Sequence, residues 1–117
     1  MELSTIIRRQ IAADARRGFS EELRTDAERL AQLNRDTVGL LGEVGEFANL
    51  LKKVDLASRI SAYDGASIKT ASAELREELA DALIYIIRLS YALGGDIESD
   101  ILNKMDKNDE RYRHLEE

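Results

Sequence analysis

The stretch from Leu30 to Val54, LAQLNRDTVGLLGEVGEFANLLKKV, decides the fold class. Leu30, Leu33, Thr37, Leu40, Val44, Phe47 and Leu51 recur at three- and four-residue intervals, the period of an amphipathic helix, and no alternating strand pattern competes with it. Upstream, Thr25 followed three residues later by Glu28 has the form of a capping box, so the helix is expected to begin there and to end near Val54. Gly39, Gly42 and Gly45 interrupt the pattern, each at a cost of roughly 1 kcal/mol against Ala, which argues either for a broken helix or for a neighbour that needs close backbone approach.

Outward from this segment the same period recurs. A first helix is predicted from about Leu3 to Arg17, with Leu3, Ile6, Ile7 and Ile11 on one side, stopped by Gly18; Phe19 and Ser20 open the next segment. Between Asp55 and about Ser72 the periodicity fades and Asp64-Gly65 marks a turn, so this reads as a long connection holding at most a short helix. A third helix is expected from about Ala73 to Leu93, closed by Gly94-Gly95. Asp96 caps a fourth, from Ile97 to about Arg113.

Composition agrees with an all-α domain. The 117 residues include 44% hydrophobic and 34% charged side chains, 5% aromatics and no Pro or Trp, which leaves little room for a sandwich or barrel and length for one domain, residues 1–117. The absence of Cys excludes disulfides, thiolate metal sites and a cysteine nucleophile. With 17 basic against 23 acidic residues the net charge is −6, and no dense Lys/Arg stripe suits a nucleic-acid polymer. The longest apolar run, Ala82 to Ile87, is far short of the ~20 residues of a membrane span, so a cytoplasmic protein without membrane contact is expected.

Two acidic pairs carry the chemistry. Glu43 and Glu46 lie on the second helix, Glu78 and Asp81 on the third, and the three-residue spacing projects each pair from one side of its helix. Such pairs also arise on ordinary solvated faces, as with Glu74 and Glu77. Glu43, however, lies beside Leu40 and Phe47 at the border of the apolar stripe, and Glu78 is flanked by Ala82, Tyr85 and Leu89 on a helix expected to be buried on most sides. Partly desolvated acids brought together must either hold protons or bind a cation. Oxygen ligands alone suit Mg²⁺ or Mn²⁺. A di-iron bundle would want Glu-x-x-His motifs, and the one histidine is His114.

Taken together, GLLGEVGEFANLLKK from Gly39 and EELADALIYIIRLSYALGGDIESDILNKMDKNDERY from Glu77 resemble the MazG-like all-α nucleoside triphosphate pyrophosphohydrolase superfamily, over about Asn34 to Tyr112. The ELADALIY and KMDKNDERY stretches are closest to its dCTP pyrophosphatase branch. The resemblance implies a four-helix MazG-like bundle and one or more Mg²⁺ ions held by Glu43, Glu46, Glu78 and Asp81. It implies hydrolysis of (d)NTPs to monophosphate and pyrophosphate in cleansing the nucleotide pool. It further implies that Tyr85 lines the nucleotide pocket. Lys104, Asn108 and Arg111 share one face of the fourth helix, where cations suit phosphate oxygens and an amide suits a base or sugar edge; Lys53, with Lys52, reaches phosphates from the second helix. The alternatives are core packing for Tyr85, a plain charged surface for Lys104 and Arg111, and for Lys52 and Lys53 a charge that complements the helix dipole.

Departures from the branch bear on substrate. No tryptophan is present to sandwich a base, Lys52-Lys53 stands near the place of one, and Arg113 follows Tyr112 where Pro is common, so a cytosine preference does not carry over. Phe19, Phe47 and Tyr63 are the remaining stacking candidates. The third helix, IYIIRLSYAL from Ile84, is apolar over too much of its surface for four helices to cover, which predicts a homodimer or homotetramer formed through it, with sites that combine two chains. Phosphoribosyl-ATP pyrophosphohydrolase is a second enzyme reading. A catalytically silent helical interaction module is the reading outside enzymology.

Overall fold

The structure, a computed structural model, describes residues 2–19 and 23–116. Among them are four α-helices, α1 (Leu3–Arg17), α2 (Asp26–Arg59), α3 (Ile68–Ala92) and α4 (Ile97–Tyr112), then a 3₁₀ turn at Arg113–Leu115, and no strand. The all-α, four-helix expectation holds. Ser20, expected to open the segment after α1, lies outside the described residues.

Local chemistry sets the helix ends. Gly18 adopts the left-handed conformation with φ 71°, and the Phe19 N–H returns to the Asp14 carbonyl at 2.9 Å, closing α1. At the start of α2 the Thr25 hydroxyl accepts from the Glu28 N–H at 3.1 Å, as its spacing indicated. The Asp96 carboxylate accepts from the Glu98 N–H at 3.1 Å at the start of α4.

The connection between α2 and α3 is shorter than the fading periodicity suggested. α2 continues past Val54 to Arg59, where an Arg59–Asp55 ion pair at 3.0 Å spans its last turn, and α3 begins at Ile68 rather than Ala73. The reason for the early start is a reciprocal cap: the Ser67 hydroxyl accepts from the Thr70 N–H at 3.2 Å while the Thr70 hydroxyl accepts from the Ser67 N–H at 3.0 Å.

α2 and α3 pack side by side and antiparallel: Asp36 meets Arg88, Gly39 meets Tyr85, and Val54 packs with Ala71 and Leu75 near the opposite end. α2 runs unbroken through its three glycines, which differ in purpose. A methyl group at Gly39 would overlap the Tyr85 ring, whereas one at Gly42 or Gly45 meets nothing within 4 Å. Close approach therefore explains the first glycine alone.

The core is small. Ala13, Val54, Ala71, Leu75, Ile87 and Ala92 are the buried apolar residues described, while Val38 is 70% and Leu41 65% exposed. α3 is not buried on most sides as its composition suggested: Leu79, Leu83 and Tyr91 are exposed in the single chain. α4 packs mainly with the turn that follows it and stands off the α2–α3 pair. The radius of gyration, 18.4 Å, exceeds the ~13 Å of a compact chain of this length.

Candidate metal centre

Midway along the antiparallel pair, Glu43 and Glu46 of α2 face Glu78 of α3, each offering a carboxylate oxygen within 4.8 Å of the others. Both α2 acids face the same way because they are three residues apart, and the register set by Gly39 against Tyr85 brings Glu78 opposite them. Glu43 Oε2 and Glu78 Oε2 are buried and have no hydrogen-bond partner. That is costly for ionised acids.

The protein's own remedy is a proton. Hydrogen bonding to Glu43, then to Glu46, then burial and the repulsion of both charges push the Glu78 carboxyl up to about 7. A divalent cation is the alternative remedy, and the donor set fits one: three carboxylates that each offer a hard oxygen, two of which carry a buried oxygen without a partner.

Asp81 lies one turn beyond Glu78 and is not part of that trio; with Glu43 it lines a cavity of about 610 Å³ that runs along α2, α3 and the underside of α1. Ile84, Tyr85 and Phe19 supply its apolar surface, and Gln10, Gln32 and Arg35 its polar end. On the other side of the trio, a cleft of about 320 Å³ is lined by Glu46, Asn49, Lys53, Glu74 and Glu78. Lys53 lines the same cleft as Glu46 and Glu78, joined by Asn49, which sequence reasoning passed over.

A buried polar network, also missed, forms the polar end of the larger cavity. Arg88 of α3 pairs with Asp14 of α1 at 2.9 Å and with Asp36 of α2 at 3.0 Å, and donates to the Phe19 carbonyl at 2.9 Å. Burial opposes the charge on Arg88, but Asp36 and Asp14 outweigh it and hold the guanidinium charged. Gln10 donates to Asp14 at 2.9 Å, Gln32 donates to Asp36 at 3.0 Å, and Arg35 donates to Gln32 at 2.9 Å. A signal existed: Asp36 stands one turn before Leu40, and Arg88 one turn after Ile84, so opposite charges occupy the inner stripes of facing helices.

The structure does not bring α4 to this centre. Lys104 and Arg111 are exposed, Asn108 is half-buried, and none of the three lines the cavity or the cleft. Arg111 lies over the Tyr112 ring, 5.2 Å from its centroid. Of the stacking candidates, Phe19 borders the cavity, Phe47 packs against the Val54 cluster, and Tyr63 sits beside Gly65.

Residues 43–117 match the MazG-like family. Over 88 residues, 74% of this chain, the sequence is 35% identical to dCTP pyrophosphatase 1 of Rattus norvegicus and of Homo sapiens, covering 49% of each. It is 36% identical to that of Bos taurus, covering 50%. The chain thus spans about half the length of the curated relatives it matches. No solved structure matches it with significance. Among the described residues no helix is long and apolar enough to cross a membrane.

Proposed function

Because the chain belongs to the MazG-like family, we propose that it is a nucleoside triphosphate pyrophosphohydrolase, a single domain over residues 1–117 that clears noncanonical or surplus nucleotides from the cytoplasmic pool. The observation that carries this reading is the Glu43–Glu46–Glu78 group, with two buried, unpartnered oxygens, whose Glu43 lines a cavity large enough for a nucleoside. The curated relatives carry the name dCTP pyrophosphatase 1, which supports the reaction. Their cytosine preference is not part of the proposal, since this chain has no tryptophan.

Glu43, Glu46 and Glu78, joined by Asp81 from the next turn of α3, would hold Mg²⁺, with Mn²⁺ as a substitute. When bound, such a cation offsets the charge of the triphosphate and makes water a better nucleophile. Water attacks the α-phosphorus, the bond from that phosphorus to the bridging oxygen breaks, and pyrophosphate leaves. Either Glu43 or Glu46 takes the water's proton. Tyr85 lines the nucleoside side of the centre, while Lys53 and Asn49 receive the outgoing pyrophosphate in the cleft.

A second copy completes the assembly in this reading. Val38, Leu41 and Val44 on α2, and Leu79 and Leu83 on α3, form apolar stripes 44–70% exposed that a homodimer or homotetramer would cover. Lys104, Asn108 and Arg111 then act on the phosphates of a neighbouring chain's site, since they are remote from their own.

Ion-exchange analysis of products from a panel of NTPs, dNTPs, modified dNTPs and phosphoribosyl-ATP, with Mg²⁺ or Mn²⁺, tests the proposal. Monophosphate and pyrophosphate are expected, with turnover lost in Glu46→Ala. Diphosphate and orthophosphate, or no turnover of any nucleotide, would overturn it; turnover of phosphoribosyl-ATP alone would move the chain to that branch.

A further inference from the structure

One guanidinium in the wall of the 610 Å³ cavity has no counter-charge. Resting on the pyrophosphohydrolase reading, we infer that Arg17, the last residue of α1, binds the α-phosphate of the nucleotide from the nucleoside side of the metal centre.

Three arginines line this cavity, and two are committed elsewhere. Arg88 is held by Asp14 and Asp36, and Arg35 donates to Gln32 at 2.9 Å and has a further partner. Arg17 makes no hydrogen bond or ion pair with the described residues. Its side chain is exposed, so its charge and its N–H donors are kept without a desolvation penalty.

The backbone that carries Arg17 is anchored on both sides. Gly18 closes α1 in the left-handed conformation directly after it, the Phe19 N–H returns to the Asp14 carbonyl at 2.9 Å, and Arg88 donates to the Phe19 carbonyl at 2.9 Å. One turn earlier, the buried Asp14 is paired with the same Arg88. Gln10, Asp14 and Arg17 recur at i, i+4 and i+7, so they share one face of α1, and all three line the cavity. A free charged head thus stands on a fixed turn.

What that head can pair with follows from the substrate. In the proposed pose the β- and γ-phosphates lie toward the cleft that holds Lys53, while base and sugar are uncharged. The α-phosphate is then the one anionic group on the cavity side, at Glu43 and Asp81, which line the same cavity as Arg17. A guanidinium meets two phosphate oxygens with parallel N–H donors and gives up little hydration in doing so. Because the α-phosphate stays with the monophosphate after cleavage, Arg17 should hold the nucleotide product and not pyrophosphate.

Steady-state kinetics of the full chain tests this, with Mg²⁺, the best substrate of the nucleotide panel, and nucleoside monophosphates or pyrophosphate as competing inhibitors. The variants are Arg17→Ala and Arg16→Ala. Arg16 shares the last turn of α1 and does not line the cavity, so it controls for the helix dipole and for the general field of a cation. Arg17→Ala is expected to lower kcat/KM, and to weaken inhibition by monophosphates of every base, by about tenfold to a hundredfold, as loss of a charge-assisted hydrogen bond implies. Pyrophosphate inhibition and the thermal melt should stay as in the unsubstituted chain, and Arg16→Ala should change none of these. Equal losses in the two variants, a loss confined to some bases, an equal loss for pyrophosphate, or no loss in Arg17→Ala would each overturn the assignment. If the unsubstituted chain turns over no nucleotide, the pyrophosphohydrolase reading itself falls, and product analysis reports that separately.

Discussion

Arg88 Nη1 stands 2.9 Å from Asp14 Oδ2, and through this bond α3 holds α1 across the end of the cavity. The same guanidinium reaches Asp36 on α2 at 3.0 Å, so one side chain 12% exposed ties three helices. The remaining ion pairs among the described residues join side chains three or four positions apart on one helix or turn. In a chain with so small an apolar core, tertiary specificity rests heavily on this junction.

Arg88→Ala is therefore expected to be strongly destabilising. It leaves two carboxylates buried without a cation, a change that costs about 3–5 kcal/mol in comparable buried pairs. Urea unfolding followed by circular dichroism measures it. Replacing the whole group, Asp14→Asn with Asp36→Asn and Arg88→Met, should recover much of the loss, because the penalty is the unpaired charge rather than the missing bond. A loss under about 1 kcal/mol for Arg88→Ala would mean that water reaches the acids and that the junction is not a clamp.

Gly39→Ala tests the register that places the acids. Its methyl group would overlap the Tyr85 ring, forcing that side chain or the helix to move, at about 1–3 kcal/mol. Nucleotide turnover should fall by about tenfold or more, because small displacements of positioning groups are amplified in rate. Gly42→Ala and Gly45→Ala meet nothing in the chain, and in a monomer should raise stability by roughly 1 kcal/mol each. Thermal melts at two protein concentrations separate the cases: a concentration-dependent loss for Gly42→Ala places that face against a second copy.

The Glu78 carboxyl sets a pH dependence with a definite sign. Its value in the folded, metal-free protein, about 7, exceeds the ordinary 4.5, so between these pH values the folded state binds the proton and the unfolded state does not. Stability of the metal-free protein should therefore fall as pH rises from about 4.5 to about 7 and then level off. Glu78→Gln should flatten that slope. Divalent cations must displace the proton, so Mg²⁺ or Mn²⁺ binding should tighten as pH approaches 7 and release protons, detectable by calorimetry in buffers of different ionisation enthalpy. Proton release that persists in Glu78→Gln would assign the titration elsewhere.

How much of this was legible beforehand follows from the range of each interaction. Thr25, Gly18 and Asp96 act within one helical turn and are readable from spacing, as are the faces carrying Glu43, Glu46, Glu78 and Asp81. The Ser67–Thr70 cap is equally local but carries no acidic partner to flag it, so periodicity alone starts α3 late. Arg88 lies 52 or more positions from Asp36 and Asp14, where α3 meets α2 and α1, and periodicity within a helix does not say which inward charge meets which. Asn49 became visible only when α3 supplied the other wall of its cleft.

The position of α4 leads to the last test. Lys104, Asn108 and Arg111 lie outside both concavities of their own chain, yet a site for a triphosphate calls for cations beyond Lys53. If the site joins two chains, Glu46→Ala and Lys104→Ala should each be poorly active alone and recover activity when mixed under conditions that exchange subunits. In a symmetric dimer the mixed species contains one site with both substitutions and one with neither, so recovery should approach about a quarter of the unsubstituted rate. Sedimentation of the mixture confirms assembly. Mixing without recovery, in variants shown to exchange, would confine each site to one chain and return Lys104 to the solvated surface of α4.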